Sequence, residues 1–299
     1  MNLLLLLLTS LAWGSSFMFN ELALEGYSPV GIAAGRLVFG ALTLWIGLTA
    51  VGRLASSWRA GFQRGSRGGL LLVGALTATP FTLISVAQQQ IDSSVAGIAN
   101  ASTPLFAGLL GMLVAHSERP TPRRWAGLLL GFAGVCVLML SKGIADGAGS
   151  VVSIGWSILA ASMYATGAIY IRTRLRGVPP TMVATWSITW GALLLLPAAL
   201  WSLTQVTPTP LSTASVLVLG IWATGIGVLL YYHLLARVGA ARAATVNYLL
   251  PMWAVLWGWS ILGESIRGGA LAALVMILAG VAVAAGGDRP RAASRSTDT

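Results

Sequence analysis

Ten apolar stretches, each 17–23 residues long and mostly joined by short connections, dictate what this chain can fold into. They run at about 3–19, 30–51, 69–88, 94–115, 124–141, 152–173, 180–201, 214–236, 241–262 and 267–285. A helix needs roughly 20 apolar residues to cross a bilayer. Inside hydrocarbon the backbone must satisfy its own hydrogen bonds, which leaves helices or closed barrels. The length and continuity of these runs select helices. Only 9% of the residues are charged, against about 25% in soluble domains, so no soluble surface can be built. Short connections make successive helices antiparallel neighbours. The first stretch, MNLLLLLLTSLAWGSSF, has neither a basic leader nor a small-x-small cleavage site and reads as a retained helix rather than a signal peptide. The longest connection, 52–68, is basic and rich in Gly and Ser, and the polar tail 287–299 is expected to be disordered. The fold class expected is an all-α integral membrane protein of ten transmembrane helices.

The charges orient these helices. With the N-terminus placed in the cytoplasm, fifteen arginines fall on the cytoplasmic side, in clusters around 53–67, 119–124, 172–176, 237–242 and 289–295, against Lys142 and Arg267 opposite. Such a bias sets membrane orientation and places both termini in the cytoplasm of an inner-membrane protein. It also explains the net charge of +10 by attraction to anionic lipid rather than nucleic acid. The single cysteine, Cys136, rules out an intrachain disulfide. The sequence contains no HExxH, GxSxG, GxxxxGK or dinucleotide fingerprint, and neither His116 nor His233 has an acidic neighbour at ligand spacing. No enzyme, metal site or cofactor is expected.

Two stretches stand apart. Residues 94–115 carry Asn100, Ser102, Thr103 and Pro104 in an uncharged run, and Asn247 and Pro251 repeat the Asn/Pro pair 147 residues later. A proline inside a helix removes one backbone hydrogen bond and crowds the carbonyl four residues back. Gly26-Tyr27-Ser28-Pro29 likewise aligns with Gly177-Val178-Pro179-Pro180, and Ala133-Gly134-Val135 with Ala279-Gly280-Val281. The chain therefore divides into two five-helix repeats, 1–145 and 146–286. An odd number of crossings inserts the second repeat upside down, which is the inverted plan of secondary transporters, with a central cavity at the midplane.

These motifs resemble the drug/metabolite transporter superfamily, in its ten-helix EamA-type branch. The matching residues are Trp13-Gly14-Ser15-Ser16-Phe17, Arg36-Leu37-Val38-Phe39, the pairs Asn100/Pro104 and Asn247/Pro251, and two closing motifs. These last are Glu118-Arg119-Pro120-Thr121 with Gly127 and Gly134, and Gly263-Glu264-Ser265 with Gly280. The chain is similar in particular to the aromatic-amino-acid and paraquat exporters. The resemblance implies a cavity walled by the first, third, fourth, sixth, eighth and ninth helices, with the fifth and tenth as buttresses.

Candidate cavity residues follow from polar or aromatic character at mid-depth. They are Trp13, Ser16 and Phe17 in the first segment, Thr79 and Phe81 in the third, and Asn100 and Pro104 in the fourth. Ser162 and Tyr164 follow in the sixth, Tyr231 and His233 in the eighth, and Asn247, Tyr248 and Pro251 in the ninth. The prolines are expected to free carbonyls for a ligand ammonium. Arg36, a turn and a half into the second segment, has two readings: a cavity cation, or an arginine that snorkels outward to Glu21, Glu25 or Asp92. The second is favoured. No Asp or Glu lies deep in a segment, so the cavity is expected to be uncharged and its substrate neutral or zwitterionic. Gly31-x-x-x-Gly35 and Gly127-x-x-x-Gly131 are read as internal packing, which leaves a monomer sufficient. The expectation is export of small metabolites, amino acids foremost, by alternating access. The alternatives are broader drug and metabolite efflux by proton antiport through His233, and a non-transporting membrane scaffold or sensor.

Overall fold

The computed structural model describes residues 2–50, 67–114, 121–202, 207–243 and 245–285. The connection 52–68 up to residue 66, the motif Glu118-Arg119-Pro120 and the tail 287–299 lie outside the described residues. Among the described residues the structure is helical, without a strand. Its elements are α1 (Asn2–Gly14), α2 (Ser16–Leu24), α3 (Pro29–Ala50), α4 (Arg67–Ala87), α5 (Ser93–Asn100), α6 (Thr103–Leu113), α7 (Pro122–Asp146), α8 (Ala148–Arg174) and α9 (Pro180–Ser202). There follow α10 (Pro210–Val218), a π-helical segment (Leu219–Ile226), α11 (Gly227–Ala243), α12 (Val246–Ser260) and α13 (Gly268–Ala285). Eight helical runs are long and apolar enough to span a membrane, and Gly268–Ala284 is a shorter apolar one. With α12, and with α1/α2, α5/α6 and α10 through α11 each taken as one rod, about ten rods form an all-α membrane protein.

The rods start and stop where local chemistry dictates. Before α10, Thr209 Oγ1 accepts from the Ser212 backbone N–H at 3.0 Å, and Ser212 Oγ accepts from the Thr209 N–H at 2.9 Å. This capping box satisfies two donors that a helix start leaves open, and Pro210, which lacks an N–H, takes the first turn. The fourth rod breaks at Ala101–Ser102, so Pro104 sits in the first turn of α6 rather than in a helix interior. The ninth rod differs from expectation. Helix α11 runs on to Ala243, seven residues past the expected end, and α12 begins only at Val246. The connecting sequence Val238-Gly-Ala-Ala-Arg-Ala243 is alanine-rich, and alanine is the best helix former.

Small residues set the closest crossing, between α7 and α13. A Cβ on Gly127 would meet the Ala284 nitrogen at 2.5 Å and the Gly280 oxygen at 2.6 Å, and Gly280 lies equally tight on Gly131. Backbones approach this closely only without side chains. On the other flank, Gly40 abuts Thr224 and Gly225 abuts Thr43, which seats the π segment against α3.

One end of the bundle is polar and tied. Lys142 Nζ lies 2.8 Å from Asp92 and 3.0 Å from Asp146, and Arg267 reaches Asp146 at 3.2 Å. The Lys142 hydrogen bond is the main influence holding the Asp146 carboxyl below its ordinary value. Glu264 follows Gly263, whose φ of +67° suits glycine. Its carboxylate accepts from the backbone N–H groups of Ser93 at 2.8 Å and Ser94 at 3.0 Å. A carboxylate from the second half of the chain thus closes the N-terminus of α5 in the first.

Candidate functional site

A cavity of about 350 Å³ lies among the rods, at the small end of the range for ligand pockets, about 300–1,000 Å³. Every rod except α7 and α13 contributes a side chain to its wall. The first rod supplies Trp13, Ser16, Phe17 and Asn20, an i, i+3, i+4, i+7 stripe that puts all four on one helix face. Thr77, Phe81 and Ile84 make the same pattern on α4. Asn100 and Thr103 flank the break between α5 and α6, Tyr164 and Ala168 lie one turn apart on α8, and Asn247 and Leu250 open α12.

Of the residues expected at the site, Trp13, Ser16, Phe17, Phe81, Asn100, Tyr164, Tyr231 and Asn247 line the cavity. Six do not. Thr79 is exposed on the outer side of α4, because two residues of helix turn it about 200° from Thr77. Ser162 and His233 are displaced in the same way from Tyr164 and Tyr231. Ser162 Oγ donates to the Leu159 carbonyl at 2.7 Å, and exposed His233 has Nδ1 2.9 Å from the Leu229 carbonyl. Tyr248 turns toward the core beneath the cavity, Pro104 is half-buried away from it, and Pro251 is buried inside α12. The carbonyl that Pro104 would free, that of Asn100, accepts the Thr103 hydroxyl at 2.8 Å, which takes one of its two lone pairs.

Arg36 lines the cavity, contrary to the favoured outward reading. Its Nε donates to Thr224 Oγ1 at 2.8 Å, and its guanidinium carbon stands 3.9 Å over the Phe81 ring. The carboxylates proposed for it are engaged elsewhere: Glu21 Oε2 accepts from Gln88 Nε2 at 3.1 Å, and Asp92 pairs with Lys142. Among the described residues no carboxylate pairs with Arg36. A charged side chain at a helix centre costs about 2.5–3.5 kcal/mol on insertion scales. A hydrogen bond from an ion returns about 1.5–3 kcal/mol, and a desolvated cation–π contact about 2 kcal/mol. The two contacts are enough to hold the cation inside without a counter-ion. The expectation of an uncharged cavity is therefore corrected: its wall carries one positive charge.

Behind Asn20 the wall is a closed amide network. Asn20 Nδ2 donates to Gln88 Oε1 at 2.8 Å, Ser85 Oγ donates to Asn20 Oδ1 at 2.6 Å, and Gln88 Nε2 also donates to the Phe17 carbonyl at 2.9 Å. Asn20, Ser85 and Gln88 are each buried. Asn100 Oδ1, by contrast, is buried with no hydrogen-bond partner. The aromatic walls are braced in pairs, Trp13 with Tyr231 at 5.0 Å and Phe81 with Tyr164 at 6.1 Å between ring centres.

The sequence model of the EamA-like transporter family matches residues 1–140 and again 151–286. The chain belongs to the EamA-like transporter family. Among curated relatives of this EamA-type transporter is an uncharacterized transporter of Archaeoglobus fulgidus, 26% identical over 87% of this chain and 89% of that one. A probable terminal-alkyne amino-acid exporter of Streptantibioticus cattleyicolor is 28% identical over 89% of each chain. The uncharacterized inner membrane transporter YedA of Escherichia coli K12 is 24% identical over 85% of this chain and 80% of its own. A solved crystal structure superposes with a TM-score of 0.67 at 21% identity, covering 94% of this chain and 96% of the other; that likeness concerns the fold alone.

Proposed function

We propose that this EamA-type protein is a secondary transporter that exports small zwitterionic or neutral metabolites, amino acids foremost, by alternating access. The repeats 1–145 and 146–286 would rock about the central cavity as an inverted pair. The observation that carries this reading is the cavity itself. It is small, it is walled by rods from both halves, and it is flanked by helix ends at Asn100 and Asn247 where the backbone can rearrange. The tie between Glu264 and α5 supports it, since that bond joins the two halves at one end and must break for that end to open. The amino-acid exporter among its relatives supports the substrate class. The arginine bias supports an orientation with both termini in the cytoplasm of the inner membrane.

The test is uptake of labelled amino acids into proteoliposomes, with and without an imposed pH gradient. Saturable, gradient-independent counterflow above protein-free vesicles is the expected result. No uptake across the panel under either condition refutes the proposal, and uptake that requires the pH gradient moves it to proton antiport.

A further inference from the structure

The hydrogen-bonding groups around the cavity do not satisfy one another, and what is left over has a definite chemistry. Arg36 carries five N–H donors, of which the Nε–H goes to Thr224. Thr224 is fixed as the acceptor because its own hydroxyl proton is committed to the Leu219 carbonyl, 2.9 Å away and five residues back. In an α-helix the partner would be four residues back; the π turn at Leu219–Ile226 opens the fifth. Thr224 thus holds the guanidinium by its Nε edge, and Phe81 covers one face. The two Nη groups have no partner among the described residues. They form the parallel fork that matches a carboxylate.

Asn100 also lines the cavity, but its Oδ1 is buried away from the open space and offers a ligand nothing in this state. The rest of the lining is largely apolar or aromatic, including Trp13, Phe17, Ile84, Ile188 and Leu250. Arg36 is the only charged residue that lines the cavity among the described residues. One cation matches a monoanionic group and leaves a phosphate dianion under-compensated.

We propose that Arg36 binds the α-carboxylate of the substrate through its two free Nη groups, while the apolar and aromatic wall takes the side chain. This rests on the transport reading above and adds to it a recognition rule: the carboxylate is obligatory. Thr224 and the π turn are the positioning device for Arg36. Arg36→Lys keeps the charge and loses both the planar fork and the stacking on Phe81, so it is not a conservative change here.

The test uses the full chain in proteoliposomes and in detergent, with matched probes: L-phenylalanine, L-leucine and L-tryptophan, the corresponding α-carboxamides, and the corresponding amines without the carboxyl group. Uptake and ligand-dependent thermal stabilisation are read for each. Removing one partner of a buried, hydrogen-bonded charge pair weakens binding by about 30-fold or more, so the amides and amines should fall by at least that factor against the parent acids. Arg36→Gln should abolish the discrimination and Arg36→Lys most of it. Thr224→Val should raise KM for the acids while leaving the weak amide uptake where it was, which a general loss of fold would not do. If Arg36→Gln does not purify as a folded protein, the ligand series on the unaltered chain decides alone. Amides or amines handled within about threefold of their acids, a difference well under one kcal/mol-scale contact, overturn the carboxylate rule and leave transport standing. An Arg36→Gln protein that still prefers the acid also overturns it. No uptake of any probe refutes the rule and the transport reading together.

Discussion

Glu264 offers the sharpest test of how one end of the bundle is held shut. Its two carboxylate oxygens accept from the Ser93 and Ser94 N–H groups at 2.8 and 3.0 Å, and Ser93 and Ser94 are 0% and 4% exposed. Glu264→Ala leaves two buried donors unsatisfied at about 1–3 kcal/mol each, and it also deletes a negative charge from a helix N-terminus, about 0.3–1 kcal/mol. Glu264 is itself only half-buried, so water entering the space it leaves offsets part of the loss and keeps each term near the low end of its range. Adjacent sites are not additive, so about 2 kcal/mol is the reasonable sum. Glu264→Gln keeps one acceptor oxygen and should lose roughly half of that. Thermal unfolding of the purified protein in detergent measures the cost, and reaction of a cysteine at position 100 with a membrane-impermeant maleimide reports opening of that end. Expected is a graded loss of stability, Ala beyond Gln, with faster labelling in the same order. If Glu264→Ala unfolds and labels like the unaltered chain, the carboxylate does not close this end.

Glycines at two places should respond with opposite sign. Gly127→Ala drives a methyl into the α13 backbone and should cost about 1–3 kcal/mol of unfolding stability, whereas Gly155→Ala has nothing within 4 Å and should gain about 0.4–1 kcal/mol; melting curves of the two variants read this directly. The lowered Asp146 carboxyl contributes stability that is present above its unfolded value, near 3.8, and is lost as pH falls through its folded value. Asp146→Asn should therefore remove a small increment of stability at neutral pH and, with it, the same small part of the loss below about pH 4, small because the group is partly solvated. His233 is exposed and outside the cavity lining, so His233→Gln should leave the pH profile of uptake unchanged; a shifted profile would return His233 to a proton-carrying role.

Which segments are helices was legible from the sequence, and rotation about each helix axis was legible only in part. Thr79, Ser162 and His233 each stand two positions from a cavity-lining residue and face elsewhere. Phe81 and Thr79 cannot share an α-helical face, and the spacing Thr77, Phe81, Ile84 was there to be read. The stripe Trp13, Ser16, Phe17 continues at helical spacing to Asn20, a residue not among those expected at the site. Arg36 was misplaced for an energetic reason. Insertion cost alone sends an arginine to the interface, whereas Thr224 and Phe81, 188 and 45 residues away in sequence, compensate it inside. The π turn that presents Thr224 has no composition cue in LGIWATGI beyond its two glycines. The Asn100/Pro104 stretch was legible as an interruption but read as a kink inside one helix, whereas Pro104, which lacks an N–H, sits where a new helix starts.

Reciprocal access is the central claim, and a paired labelling experiment tests it most directly. Single cysteines at positions 100 and 247, in a chain whose Cys136 is replaced by serine, are labelled with an impermeant reagent from each side of oriented vesicles, with and without transported amino acid. Position 100 should react from the side of Glu264 and position 247 from the other, and any condition that raises one rate should lower the other. Rates that rise and fall together, or two positions that react only from the same side in every condition, would contradict alternating access around this cavity.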